Sequence, residues 1–214
     1  MTIDVQNILE SILESLNRID YIRPEDVPGI DLYMDQVTTF MDRELATSKR
    51  YEEDKILTKT MINNYAKNNL LPPPEKKKYS KEHLLLLIFI YYFKNILSIS
   101  DIQSLLSPLT EKYFHTDHAI KLDSIYSEVF SLEKSQIEAM KEDLVSKYRI
   151  AGETFEGASG QDRDFLRLFS FICMLSFDVY VKKQVIEKLI DQLPAPDKKG
   201  KKKEKGADTA SQSS

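Results

Sequence analysis

Five residues of the stretch "TKTMINNYAKNNL" carry side chains suited to a DNA groove: Lys59, Thr60, Asn63, Asn64 and Lys67. At helical spacing Met61, Ile62, Tyr65 and Leu70 make an inward stripe, which leaves those five on the opposite, solvated face. Asparagine pairs bidentately with an adenine edge, threonine donates or accepts, and lysine reaches guanine or phosphate. Just beyond, "PPPEKKKYS" adds Lys76, Lys77 and Lys78. Its three prolines end the helix and force an extended path. The lysines are therefore expected on a short projecting strand pair that meets a neighbouring run of phosphates.

Charge singles out the same stretch. The chain has a formal net charge of -4, yet residues 55–81 hold seven lysines and one glutamate. Residues 1–54 carry 5 basic and 13 acidic side chains, and residues 82–193 carry 12 and 17. An acidic chain with one basic island has one face for a polyanion and is no general polyanion binder. A polar helix face bearing lysines is in general only solvated surface, so composition does not decide the matter. Order along the chain does.

The elements that must position these residues read as helices. With 214 residues and only six glycines, and with many Leu, Ile, Glu and Lys, the chain is expected to be all-α with one or two compact domains. Residues 1–24 contain an amphipathic helix whose seam is Val5, Ile8, Leu9, Ile12, Leu13, Leu16 and Ile19. "RPEDVPGID" then marks a hinge. In residues 25–108 a helix is expected from near Asp31, with Leu32, Val37, Phe40, Met41 and Leu45 inward. A short helix capped by Thr58 follows, then a long apolar helix capped by Ser80 and running to about Leu97. Ser100 to Leu106 should form another short helix. Residues 109–193 read as a helical dimerisation or ligand region, with helices Leu109–Phe114, Ser124–Tyr148 and Asp162–Leu193. The tail, 194–214, is rich in Lys, Gly and Ser with almost no apolar residues, and disorder is expected there.

At this point the stretch resembles a known family. "TKTMINNYAKNNLLPPPEKKKYSKEHLLLLIFIYYFKNILSISDIQSLL" is similar to the DNA-binding head of MerR-type regulators, a winged helix-turn-helix. Thr58 falls at the cap of the recognition helix, Ile62 at its core isoleucine and Asn64–Tyr65 at its aromatic pair. Leu70, Leu71 and Pro72 match the exit, Tyr79 and Ser80 close the wing, and "SISDIQSLL" matches the closing helix. The resemblance covers roughly 50 of the 214 residues. It implies a winged helix-turn-helix with a minimal two-strand wing, between additional N- and C-terminal helices. It also implies double-stranded DNA as partner and a role in transcription regulation. The whole chain, including "GIDLYMDQV" and "DKILTKTMINNY", further resembles an uncharacterised bacterial family carrying such a head. Two departures stand out: the arginine usual in the recognition helix is Thr60 here, and the first of the aromatic pair is Asn64. A single long coiled-coil dimerisation helix is not evident, so metal sensing and effector chemistry do not transfer.

Other constellations are weaker. "HTDH" places His115 and His118 three apart, with no third ligand nearby in sequence, and no metal is expected. "GASGQD" lacks the Lys-Ser/Thr and the preceding strand of a phosphate loop. No nucleophile, base and orienting group fall together, so neither an enzyme nor a cofactor is expected. The single cysteine, Cys173, lies in an apolar helical stretch and reads as a buried, inert thiol. Leu84–Phe93 is too short to cross a bilayer, and Phe165–Val181 is interrupted by Arg167 and Asp178; both read as buried helices. With no signal peptide at "MTIDVQNILES", a cytoplasmic location away from membranes is expected. Phe165, Phe169, Phe171, Phe177 and Tyr180 could line a pocket for a small apolar ligand. A homodimer is expected, because one recognition helix reads only a few base pairs and a two-fold site doubles the contact. The other reading is a protein-interaction module that keeps the fold without binding DNA.

Overall fold

The computed structural model describes residues 5–16 and 22–194, the side chains of 5, 6 and 133–135 excepted. The Lys-rich tail and Ile19 of the amino-terminal seam lie outside the described residues. Ten elements follow in order: α1 (Val5–Leu16), β1 (Leu32–Tyr33), α2 (Met34–Glu44), a 3-10 turn (Ala46–Ser48), α3 (Lys59–Lys67), β2 (Lys78–Tyr79), α4 (Lys81–Phe93), α5 (Ile99–Tyr113), α6 (Leu122–Gly152) and α7 (Gly160–Ile190). The protein is mostly helical, with one small antiparallel sheet that sets Leu32 opposite Tyr79 and Tyr33 opposite Lys78.

The main core surrounds α4. Residues 83–91 are buried without interruption, as a helix apolar on all faces requires. Val37, Phe40 and Met41 of α2 and Ile62 and Tyr65 of α3 join the same cluster. Ile102 and Leu106 of α5, Leu122, Tyr126 and Phe130 of α6, and Ile190 of α7 complete it. Two long-range polar ties hold connections to this core. The Lys94 ammonium donates to the Ile56 carbonyl at 2.8 Å, and the Tyr126 hydroxyl donates to the Ile22 carbonyl at 2.6 Å.

A second, smaller core lies farther along the α6–α7 pair. Leu9 of α1, Ala151 and Phe171 are buried there, with Leu13, Leu144, Tyr148, Met174 and Leu175 packed around them. Lys147 joins Asp178 at 2.8 Å across the pair. Leu9 and Leu13 thus dock the amino-terminal helix, whereas Ile8 and Ile12 of the same seam stay exposed.

Several boundaries differ from the sequence reading. The second helix begins at Met34, because Leu32 and Tyr33 pair with β2 and leave the helix only Tyr33 as its cap. Pro108 does not separate two helices but sits inside α5, so the boundary placed at 108 falls within one helix. A proline there costs one backbone hydrogen bond. Buried Ile102 and Leu106 hold the helix on the core, and the Ser107 and Thr110 hydroxyls donate to the Gln103 and Ser107 carbonyls at 2.7 and 3.0 Å. Phe165–Val181 is not a buried helix: α7 is covered along one side only, and Phe171 alone in this stretch is buried. Cys173 is exposed, not buried, for the same reason. Among the described residues no helix is long and apolar enough to cross a membrane.

His83 closes the amino-terminal end of α4. Its Nδ1 accepts the Ser80 backbone N–H at 3.0 Å, a capping-box arrangement, and its Nε2 lies 3.4 Å from the Pro73 carbonyl. The ring is 1% exposed and packs edge-on against Tyr79 and Phe114. Burial holds its pKa below the ordinary histidine value, the Pro73 hydrogen bond opposing that only in part. The unfolded chain therefore takes up a proton near pH ~6.5 that the folded chain refuses. Stability is full above that pH and falls as the solution is acidified through it. Urea unfolding at about pH 7.5 and about pH 5.5 should show this loss, and His83→Gln, which keeps a capping acceptor, should make it smaller. An unchanged pH dependence in that variant would assign the loss to other groups.

Candidate nucleic-acid interface

Helix α3 is set by its two ends. Thr58, in extended conformation, accepts the Met61 N–H on its hydroxyl at 3.2 Å and starts the helix. At the other end Asn69 takes a left-handed conformation (φ 55°). The Leu70 N–H then reaches back to the Tyr65 carbonyl at 2.9 Å and the Asn69 N–H to Ala66 at 3.2 Å. This is a Schellman closure, with asparagine where glycine is commonest. Ile62 and Tyr65 are buried and Met61 is half-buried, so the rotation of the helix about its axis is fixed. Lys59, Thr60, Asn63, Asn64 and Lys67 are all exposed on the other side.

The lysine turn has an unusual backbone. Lys78 donates its N–H to the Glu75 carbonyl at 2.8 Å, and both central residues have positive φ: Lys76 at 47° and Lys77 at 65°. Those are the features of a type I′ hairpin turn, for which Asn-Gly is the favoured pair. Each left-handed lysine costs roughly 1–2 kcal/mol relative to an ordinary conformation. The prolines before the turn and the sheet after it hold it in place, with Lys76 and Lys77 exposed at the tip.

β1 and the start of α2 meet one lysine of each group. Lys78 is half-buried, with its ammonium 5.3 Å from the centre of the Tyr33 ring. Lys59 pairs with Asp35, two residues further on. Both partners of that ion pair are well exposed, so it contributes little to stability and is open to exchange for another anion. Tyr33, itself exposed, was not among the residues picked out by sequence; its link to Lys78 follows from the strand pairing alone.

Behind the turn, tertiary structure gathers groups that lie far apart in sequence. The Ser80 hydroxyl lies 2.9 Å from Nδ1 of His83 and 2.9 Å from Nε2 of His115. Glu82 accepts the His115 backbone N–H at 2.7 Å, and its carboxylate is 3.3 Å from the same Nε2. These contacts fasten the α5–α6 connection to the base of the turn. His115 and His118 lie in that connection and not on a helix; Nδ1 of His118 accepts the Ile120 N–H at 3.1 Å. Among the described residues the aromatic set of α7 does not enclose a pocket. Phe165, Phe169, Phe177 and Tyr180 are exposed, and only Phe171 packs inward, against Tyr148. A shallow depression of about 380 Å³ is lined by Lys141, Glu142, Val145, Ser146 and Arg149 of α6 and by none of these aromatics.

A family model for a domain of unknown function, DUF1836, matches residues 22–129, half of the chain. The chain belongs to the DUF1836 family. The DUF1836 segment opens at Ile22, whose carbonyl accepts from Tyr126, and takes in α2 to α5 with the first part of α6. All eight candidate residues fall inside it; α1 and α7 fall outside. No curated protein and no solved structure matches this DUF1836 chain.

The turn offers a test that separates folding from binding. Replacing Lys76 by Asn and Lys77 by Gly supplies the pair that a type I′ turn favours. The double variant should be more stable by about 1–2 kcal/mol in urea unfolding, although two charges are lost. A less stable variant would show that the lysine side chains hold the fold.

Proposed function

We propose that the protein is a DNA-binding transcription regulator that uses a MerR-like winged helix-turn-helix and works as a homodimer. In this reading α3 is the recognition helix and residues 75–79 are the wing. One observation carries it: a capped helix presents Lys59, Thr60, Asn63, Asn64 and Lys67 on its exposed face, beside a turn that keeps lysines in left-handed conformations. Backbone strain retained at an exposed site has a functional rationale when the side chains there meet a ligand. Asn63 and Thr60 supply base-reading groups, and Lys59, Lys67 and the wing lysines supply phosphate contacts. On binding, a phosphate takes the place of Asp35 at Lys59. The 14 residues between α2 and α3 make a longer connection than a tight helix-turn-helix uses, so the reading rests on α3 and the wing.

Binding to duplex DNA should be strongly salt-dependent. Five lysine contacts would give a slope of log affinity against log salt of roughly -4 to -5. Changing Lys76, Lys77 and Lys78 together to Ala should reduce its magnitude by about 3 and weaken all sequences alike. Anisotropy titrations across salt concentrations measure both. No affinity even at low salt would leave the interaction module, which the acidic flank around Asp35 favours.

Sequence reading should depend on Asn63. On a duplex selected from a random pool, Asn63→Ala should cost about 1–3 kcal/mol, and much less on unselected DNA. Equal losses on both would make Asn63 a backbone contact and remove it from base recognition.

A further inference from the structure

One carboxylate stands against the basic face of α3. Asp35, in the first turn of α2, pairs with the ammonium of Lys59, the first residue of α3. Steps of four carry Lys59, Asn63 and Lys67 along one ridge of the helix, so the pair sits at the amino-terminal head of that ridge. Its place is fixed by the fold and not by the two side chains. Tyr33, two residues before Asp35, is held in register with Lys78, and the Thr38 and Thr39 hydroxyls donate to the Asp35 carbonyl at 3.0 and 2.9 Å. Val37, Phe40 and Met41 anchor α2 in the core that also holds Ile62 and Tyr65 of α3.

The surroundings of this carboxylate suit an anion of any kind. The first turn of a helix is its positive end, and the Lys59 ammonium adds a full positive charge. The pair is also open to water: its side chains are 60% and 75% exposed, so it adds little to stability. Another lysine paired to α2 differs. Lys49 meets Asp42 at 2.8 Å with its side chain 17% exposed, which ties the chain after α2 back to that helix. Lys59 has no such role, and what Asp35 governs is the charge that α3 offers. Paired, Lys59 presents almost no net charge to a polyanion. For a phosphate to take the lysine, the ion pair has to open, and a carboxylate is left beside the incoming charge. We infer that Asp35 is a built-in competitor for phosphate at Lys59, a brake on the affinity of α3 for duplex DNA. The inference rests on the DNA-binding reading above and adds to it a residue that opposes binding. Its penalty falls on a backbone contact, so it is the same for every sequence and leaves base reading by Asn63 and Thr60 unchanged.

One substitution that keeps the shape of the side chain releases the brake. In anisotropy titrations with a fluorescein-labelled duplex of mixed sequence at about 50 mM salt, Asp35→Asn should bind roughly 3–10-fold more tightly than the native protein. The gain should shrink as salt is raised, and helical circular dichroism should not change. If the variant disturbs the helix, Asp35→Ser takes its place. Two comparisons identify the source of the gain. Glu142→Gln, at an exposed position on the part of α6 beyond the main core, removes the same charge and should leave affinity within about twofold. In a Lys59→Ala background Asp35→Asn should gain about twofold or less, because no lysine is left to release. An unchanged affinity in Asp35→Asn, an equal gain from Glu142→Gln, or an equal gain without Lys59 would each overturn the brake and leave the regulatory reading in place. Binding by Asp35→Asn with none by the native protein supports the brake in its strongest form. Binding by neither overturns the regulatory reading, and the brake with it.

Discussion

Helix α4 has no polar side to give to water, and the rest of the fold follows from covering it. Nine consecutive residues, from His83 to Tyr91, are buried, so neighbours must stand on every side of one short helix. α2, α3, α5 and the beginning of α6 supply them, and the end of α7 returns through Ile190. Full burial of one leucine or isoleucine side chain is worth roughly 1.5–3 kcal/mol, which makes this the dominant stabilising surface in the molecule. It also explains why α3 is so short. Two buried residues, Ile62 and Tyr65, suffice to dock it, and the remaining positions are left for the surface.

Covering α4 places the basic turn as well. The chain must leave α3, cross the end of α4 and enter it at Ser80, and the three prolines keep that path extended. β2 pairs with β1 on the way, so the turn before it projects from the body of the fold. His83 and Ser80 then tie the base of the turn to the α5–α6 connection through His115. A rigid base under a strained tip is the arrangement expected where side chains have to be presented to a partner. It is also the arrangement that makes a mutation at the tip informative about binding without loss of the core.

The two ends of the α6–α7 pair have different surroundings. At one end both helices enter the main core; farther along, among the described residues, α1 covers them on one side. The DUF1836 match stops at residue 129, close to the point where α6 leaves the main core. The matched segment therefore coincides with the part of the fold built around α4, and the apolar exterior of α7 belongs to the part outside it.

Much of this was legible in the sequence. The uninterrupted run from Leu84 to Phe93 announced a buried helix, Thr58 and Ser80 announced caps, and three-and-four spacing placed Asn63 and Lys67 on one exposed face. These are local properties: a cap or a helix face is decided within a few residues, by backbone hydrogen bonding and by the 3.6-residue turn. What the sequence could not decide was whether a given face meets another element. Leu32 and Tyr33 belong to a strand only because Lys78 and Tyr79 lie beside them. Phe165 to Val181 is as apolar as a core helix and stays largely exposed, because within the described residues nothing lies on its outer side. Pro108 was read as a break and lies inside α5, since packing on the core outweighs one missing hydrogen bond. Sequence alone determined which side chains α3 exposes, whereas long-range pairing decided that Tyr33 stands against Lys78 and Asp35 against Lys59, so that one lysine of the turn and one of α3 meet neighbouring residues of the same segment.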